Sequence, residues 1–183
     1  MPLGNIASVL KMGILSNERA AKVEHRSVAL EIVQERRDVK HVPGGLKLRQ
    51  YANLYFHARN PMLFKRKEEA AKLCVLRVSI EVRHIDGVVF ADRNASSDYA
   101  RFLHPRQEAL LDFDAIFATD WRHPNQFEYF ARKSKKCAEV LVPHCVEPRF
   151  LTGAYVVDEA SGDALIARGF YLPITINPEM FFR

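Results

Sequence analysis

The stretch "KKCAEVLVP", residues 135–143, is apolar from Ala138 to Val142 except for one acid, Glu139. Side chains alternate across a strand, so Cys137, Glu139 and Leu141 share one face while Ala138, Val140 and Val142 share the other. A carboxylate in a strand suited to burial is hydrogen-bonded, ion-paired, protonated or set at the lip of a cavity, because burying an unpaired charge is costly. The alternative is an edge strand whose glutamate points at water. On either side, "NQFEYFARKSKK" (125–136) reads as a helix leading into this strand, and "GAYVV" (153–157) as a strand after it.

Asn5 caps a short helix through Ile6, Val9 and Leu10, and Gly13 stops it. "SVALEIVQERRDVK" (27–40) is a second helix, stopped by "HVPGG". "YANLYF" (51–56) alternates as a strand, and Pro61 opens a helix carrying "MLFKRKEEAAK" (62–72). "CVLRVSIEV" (74–82) and "VVFAD" (88–92) are strands on either side of an Asp86–Gly87 turn. "RQEALL", "DFDAIFA" and "EASGDALIAR" are helical, and "YLPITI" (171–176) is the last strand. Helices and strands in this mixed order predict an α+β domain rather than a doubly wound sheet.

The chain has 183 residues, enough for one domain with a real core, and 48% hydrophobic with 27% charged residues is ordinary for a soluble protein. No apolar run is long enough to span a bilayer, and "MPLGNIASVLKMGIL" lacks the layout of a signal peptide. Cys74, Cys137 and Cys145 form neither a disulfide framework nor a metal-ligand spacing, which points to the cytoplasm and to no metal. No GxGxxG, Walker, HExxH, CxxC or GxSxG pattern is present, so the common nucleotide, zinc and serine-hydrolase motifs are excluded.

Net charge is +5, from 27 basic and 22 acidic residues, which permits a polyanionic partner without demanding one. The basic residues cluster at Lys65–Lys72 and at Arg132–Lys136. The second cluster is either a helix end complementing its dipole or a phosphate-attracting rim. Three further groups of polar residues stand out. Arg36 falls near the centre of the apolar face of the second helix and Arg37 at its edge, and either could snorkel. In "NLYFHARNPM", Tyr55, His57, Arg59 and Asn60 crowd a strand end. "FADRNASSDYARF" is a polar loop after a strand, fit for a turn or for facing a substrate.

The segments "NIASVLKMGILS", "VQERR", "NLYFHARNPMLF", "DRNASSDYARF", "KCAEVLVP" followed by "VEPRFL", and the terminal "INPEMFF" occur together, in order and in register. With them the chain resembles the DarT family of DNA ADP-ribosyltransferase toxins over nearly its whole length. The resemblance implies one ADP-ribosyltransferase domain over residues 1–183, with a split β-sheet core flanked by helices around an NAD⁺ cleft. It implies transfer of ADP-ribose from NAD⁺ to a base of single-stranded DNA, thymidine first and guanosine next. An RNA- or protein-directed transferase, or an impaired nucleic-acid-binding relative, are the alternatives. Glu139 matches the catalytic glutamate and Arg37 the functional arginine, against the helix wheel, which favours Arg36. Asn5, Tyr55, Arg59 and Met62, with Arg37, match the NAD⁺ region. Asn94 and Arg93 fall in the loop facing DNA, where Arg132, Lys133, Lys135 and Lys136 would follow the phosphates. A toxin of this type acts in phage defence, as a monomer, beside a cognate antitoxin of the DarG macrodomain type. One departure is the family's N-terminal strand with a "YHIT"-like element, which has no counterpart before Asn5. It predicts an unpaired sheet edge or an open cleft near Asn5, and weak NAD⁺ binding.

Overall fold

The computed structural model describes residues 1–27 and 37–183. Most of the helix expected over 27–40, including Arg36 and its apolar face, lies outside the described residues. In chain order the elements are α1 (Ile6–Met12), β1 (Ile14–Leu15), α2 (Asn17–Ala20), β2 (Tyr51–Tyr55), α3 (Pro61–Phe64), β3 (Val75–Val78), β4 (Val89–Ala91), β5 (Phe102–Leu103), α4 (Phe113–Phe117), α5 (Gln126–Lys135), β6 (Glu139–Pro143), β7 (Cys145–Val146), β8 (Leu151–Val156), α6 (Glu159–Ile166) and β9 (Ile174–Ile176).

Among the described residues the strands form three sheets, in the orders β2-β6-β4-β5, β3-β8-β9 and β1-β7. All pairings are antiparallel except β8 with β9. This is the expected α+β class, with short helices flanking separate sheets. The quoted stretch forms a central strand and not an edge, because β6 pairs with β2 on one side and β4 on the other. Its two faces enter different apolar clusters. Ala138, Val140 and Val142 pack with Ala52, Phe90 and Ile116, while Leu141 packs on the other face with Leu48, Tyr51 and Ala95. Glu139 shares the Leu141 face.

Several elements differ from expectation. Residues 74–92 do not make a hairpin. β3 joins β8 in one sheet, β4 joins β6 in another, and a 3-10 turn at Ile80–His84 crosses between them. Ser79 starts that turn by accepting a hydrogen bond from the Glu81 amide through its hydroxyl, which interrupts the strand. The helix after Asn60 divides into α3 and a 3-10 segment at Lys67–Lys72. The tighter segment turns Ala70 into a cluster with Leu73, Val157 and Phe181. All of "RQEALL" but its last residue, Leu111, likewise lies in a 3-10 segment, Pro105–Leu110. Asn5 precedes α1 but does not cap it with its side chain. Its amide instead clamps the Arg26 backbone, donating to the carbonyl at 2.9 Å and accepting from the amide at 3.0 Å. Gly13 ends α1 at φ +81°, where a Cβ would collide with the Val146 carbonyl.

Near the N-terminus, Pro2 forms an isolated antiparallel bridge with Leu73. The Cys74 amide donates to the Met1 carbonyl at 2.9 Å. The edge expected to be unpaired is therefore paired at that point, while a cleft does open beside Asn5.

Candidate active site

The central position of β6 explains how a carboxylate comes to be buried. Glu139 is 1% exposed and sits between Tyr55 of β2 and Ala91 of β4 in the sheet register. Arg37, 6% exposed, reaches it with Nη2 at 2.7 Å from Oε1 and 2.6 Å from Oε2. Asn53 Nδ2 donates to Oε2 at 2.8 Å, and the Ala95 main-chain amide donates to Oε1 at 3.0 Å. A carboxylate offers about four acceptor positions, and these contacts engage two on each oxygen. Of the outcomes open to a buried acid, the structure realises ion pairing combined with hydrogen bonding.

Charge states follow from this packing. Burial alone would lower the Arg37 pKa, but the charge of Glu139 and its hydrogen bonds outweigh that and raise it, so the guanidinium stays protonated. Burial, then the Glu139 charge, pushes the Tyr55 phenol far above its usual range, and it remains a neutral hydroxyl. The same two effects push the Cys137 thiol up to about 12, which removes it as a nucleophile at neutral pH.

Two cavities adjoin beside the residues that hold this carboxylate, and Glu139 itself lines neither. One, of about 310 Å³, is lined by Asn5, Asn17, Arg26, Arg37 and Asn53 among others. The second, of about 890 Å³, is lined by Lys40, Ser97, Tyr99, Phe130, Lys133 and Cys137 among others. Tyr55, Met62 and Asn94 line both, so a reacting pair placed one in each cavity would meet at those three residues. The cluster that holds Glu139 supplies walls of the smaller cavity through Arg37 and Asn53.

Most of the residues singled out from sequence converge here: Glu139, Arg37, Asn5, Tyr55, Met62, Asn94 and Lys133. Asn94 Oδ1 accepts from the Ser96 amide at 3.0 Å and hydroxyl at 2.8 Å, and this tight turn aims the Ala95 amide at Glu139. Lys40 steadies the same loop by donating to the Ser97 carbonyl.

Arg59 is not brought to the cleft. Its guanidinium donates to the carbonyls of Glu179 at 2.9 Å and Thr119 at 2.6 Å and lies 4.2 Å from the centroid of the Phe182 ring, tying the C-terminal segment down. Lys136 is a correction. It is 1% exposed, with Nζ 2.7 Å from His57 Nδ1 and donating at 2.7 Å to the Ile116 carbonyl, so it cannot follow a phosphate at the surface. Burial and the neighbouring Arg59 lower its pKa to about 8. Lys135 is paired with Asp112 at 2.8 Å, Arg132 with Glu128 at 3.8 Å and Arg93 with Asp92 at 3.1 Å. The helix-end expectation for the second basic cluster holds for three of its residues. Arg132, Lys133 and Lys135 occupy the last turn of α5, and Lys133 also faces the larger cavity.

The residues missed in the sequence are Asn53 and the Ala95 amide. Asn53 is a polar residue inside β2, and that is its signal. A main-chain amide carries none. Among the described residues, no group of three or more His, Cys, Asp or Glu side chains could hold a metal ion, and no helix is long and apolar enough to cross a membrane.

A family model described as "ssDNA thymidine ADP-ribosyltransferase, DarT" matches residues 1–182. A DNA ADP-ribosyl transferase from Thermus sp. (strain 2.9) is 33% identical over 153 residues, covering 76% of this chain and 70% of that protein. A DNA ADP-ribosyl transferase–DNA ADP-ribosyl glycohydrolase fusion protein from Thermosipho africanus (strain H17ap60334) is 29% identical over 98% of this chain and 47% of its own length. The chain thus spans about half of that relative. The structure of Thermus sp. 2.9 DarT in complex with ADP-ribosylated ssDNA matches with a TM-score of 0.86 at 26% identity, covering 99% of this chain and 93% of that one.

Proposed function

We propose, given that this chain belongs to the DarT family of single-stranded-DNA thymidine ADP-ribosyltransferases, that it transfers ADP-ribose from NAD⁺ to a thymine of single-stranded DNA. Residues 1–183 act in this reading as one catalytic unit. The observation that carries it is the buried carboxylate of Glu139, fixed by Arg37, Asn53 and the Ala95 amide, with Arg37 and Asn53 forming walls of the smaller of two adjoining cavities. The relative solved with ADP-ribosylated single-stranded DNA supports both the donor group and the acceptor.

The smaller cavity suits the dinucleotide, since it combines amides from Asn5, Asn17 and Asn53 with the cations Arg26 and Arg37. The larger one suits the strand, with Lys40, Lys65 and Lys133 on its walls. NAD⁺ supplies the ADP-ribosyl group, and nicotinamide leaves as positive charge builds on the ribose. Glu139 stabilises that charge from a strand-fixed position. It also accepts the proton from the attacking ring nitrogen of the base, which in thymidine is the N3–H. Both roles require a free acceptor position on a carboxylate whose four are engaged. Arg37 is the partner that yields, because it lines the donor cavity and a bound pyrophosphate competes for its guanidinium. Tyr55 and Met62 bound the meeting point, where an unstacked base enters.

In the Thermosipho relative the transferase is fused to a glycohydrolase that acts on the same modification. We therefore infer that the present chain works opposite an antitoxin of that type, in the cytoplasm. The test is incubation with labelled NAD⁺ and single-stranded oligonucleotides of each base, with RNA and protein as competitors. Label on thymidine-containing DNA is expected. Label on RNA or protein selects a different acceptor, and label nowhere overturns the enzymatic reading.

A further inference from the structure

Of the two described helices of eight residues or more, α6 buries Ser161, Gly162 and Leu165, whereas α5 buries none of its ten residues. Two of the residues on α5 are phenylalanines facing water, Phe127 at 87% exposure and Phe130 at 54%. Burying such a ring removes a large apolar area from water, so a pair left bare immediately before the strand of the catalytic acid calls for an occupant. Helical spacing sets Phe127, Phe130 and then Lys133 with Ser134 along one stripe. Phe130, Lys133 and Ser134 line the 890 Å³ cavity together with Tyr55 and Met62. The stripe therefore starts at the reaction site and runs outward, with Phe127 one turn beyond the cavity.

Its chemistry fits one class of occupant. Phe130 is held edge-on to Tyr129, with centroids 5.3 Å apart and planes at 67°, which leaves a face of the ring open. The Lys133 ammonium lies 5.1 Å from the Tyr129 ring centroid and donates to its hydroxyl at 3.2 Å, at the foot of the stripe. Lys40, Lys65 and Lys133 outnumber Asp98 on the cavity wall. Aromatic faces interleaved with cations accept stacked bases and the phosphates between them.

We propose that Phe130 and Phe127 form a stacking ladder for the nucleotides beside the modified base. Phe130 takes the neighbouring base, Phe127 takes the next, and Lys133 meets an intervening phosphate. This rests on single-stranded DNA being the acceptor, and adds which residues grip the strand and how much of it is needed. Stacking tolerates any base, so the ladder sets substrate length rather than sequence. A substrate must carry at least two nucleotides on one side of its target.

The test uses the full chain with Phe130→Ala, Phe127→Ala and Phe130→Trp. The substrates are oligonucleotides with one central thymidine, intact or abasic at the first or second position on either side. Phe130→Ala is expected to raise KM for intact oligonucleotide roughly tenfold, with NAD⁺ affinity by calorimetry unchanged. An abasic neighbour on one side should cost the native chain a similar factor and the variant little. Phe130→Trp should restore KM, and Phe127→Ala should blunt sensitivity at the second position. Unchanged KM in both alanine variants, or undiminished sensitivity to the abasic site, overturns the ladder. So does a change in oligomeric state on sedimentation with KM unaffected, which would assign the rings to a second copy of the chain. Absence of label with the native chain overturns the acceptor reading itself, and the ladder falls with it.

Discussion

At the scale of single residues, the proposed chemistry and the stability of the site both rest on Glu139 and Arg37. Glu139→Gln keeps the shape and an acceptor oxygen but removes the charge. It should lower transfer by at least about a hundredfold while the protein still melts cooperatively, as turnover beside thermal unfolding will check. Glu139→Ala is a harsher change because it leaves the Arg37 guanidinium buried and unpaired, and it should also cost about 3–5 kcal/mol of stability. Asn53 makes a second prediction. Asn53→Ala removes the donor on Oε2 and lets the carboxylate turn, so kcat should fall roughly tenfold to a hundredfold with a stability loss of about 1.5–3 kcal/mol. A kcat equal to the native value would show that Arg37 and the Ala95 amide orient the acid by themselves. Glu139 stood out because a lone acid interrupts an apolar strand, but its role came only with the family resemblance. Arg37 was legible only through the family resemblance, since hydrophobic periodicity ranks a helix by its apolar face and cannot see a partner 102 positions along the chain.

At the scale of elements, β6 was read correctly because its alternation survives on both faces, each in its own apolar cluster. The misread elements lie where local and tertiary preferences compete. Nothing in "CVLRVSIEV" announces that Ser79 ends the strand, because the crossing between sheets is set by partners distant in the chain. The cations ending α5 look alike in sequence, yet the chain turns at that point and carries Lys136 inward. That burial has a consequence for pH. Folded Lys136 releases its proton near pH 8, whereas in the unfolded chain it does so near 10.4. Between those values the unfolded state binds more protons, so stability contributed by this group rises with pH across that window. Lys136→Met should flatten this rise. Denaturant midpoints measured from pH 7 to 10 on both proteins will read it, and parallel curves would refute it.

At the scale of the whole molecule, a net charge of +5 said little until the fold sorted the cations into paired, buried and cleft-facing sets. Only the last set should meet DNA. Affinity for single strands should fall with salt at a slope of about −0.7 per neutralised phosphate. Lys133→Gln should make that slope shallower by about that amount, and Lys136→Gln should leave it unchanged. Titrations across a salt series will separate the two, and equal slopes would remove Lys133 from the phosphate path. The α+β class was legible from element order alone. The arrangement as three sheets was not, because strand partners are chosen by long-range pairing that a local pattern does not encode.

A carboxylate with every acceptor position engaged is also idle between substrates. Once NAD⁺ draws Arg37 away, the position freed on Glu139 still lies on a side chain only 1% exposed to water, so NAD⁺ held without DNA should be cleaved far more slowly than in its presence. Nicotinamide release with and without oligonucleotide measures this directly, and equal rates would refute it. For a cell carrying such a protein, the harm would then come from lesions on exposed single strands, as at replication forks. The dinucleotide pool would be left largely undrained.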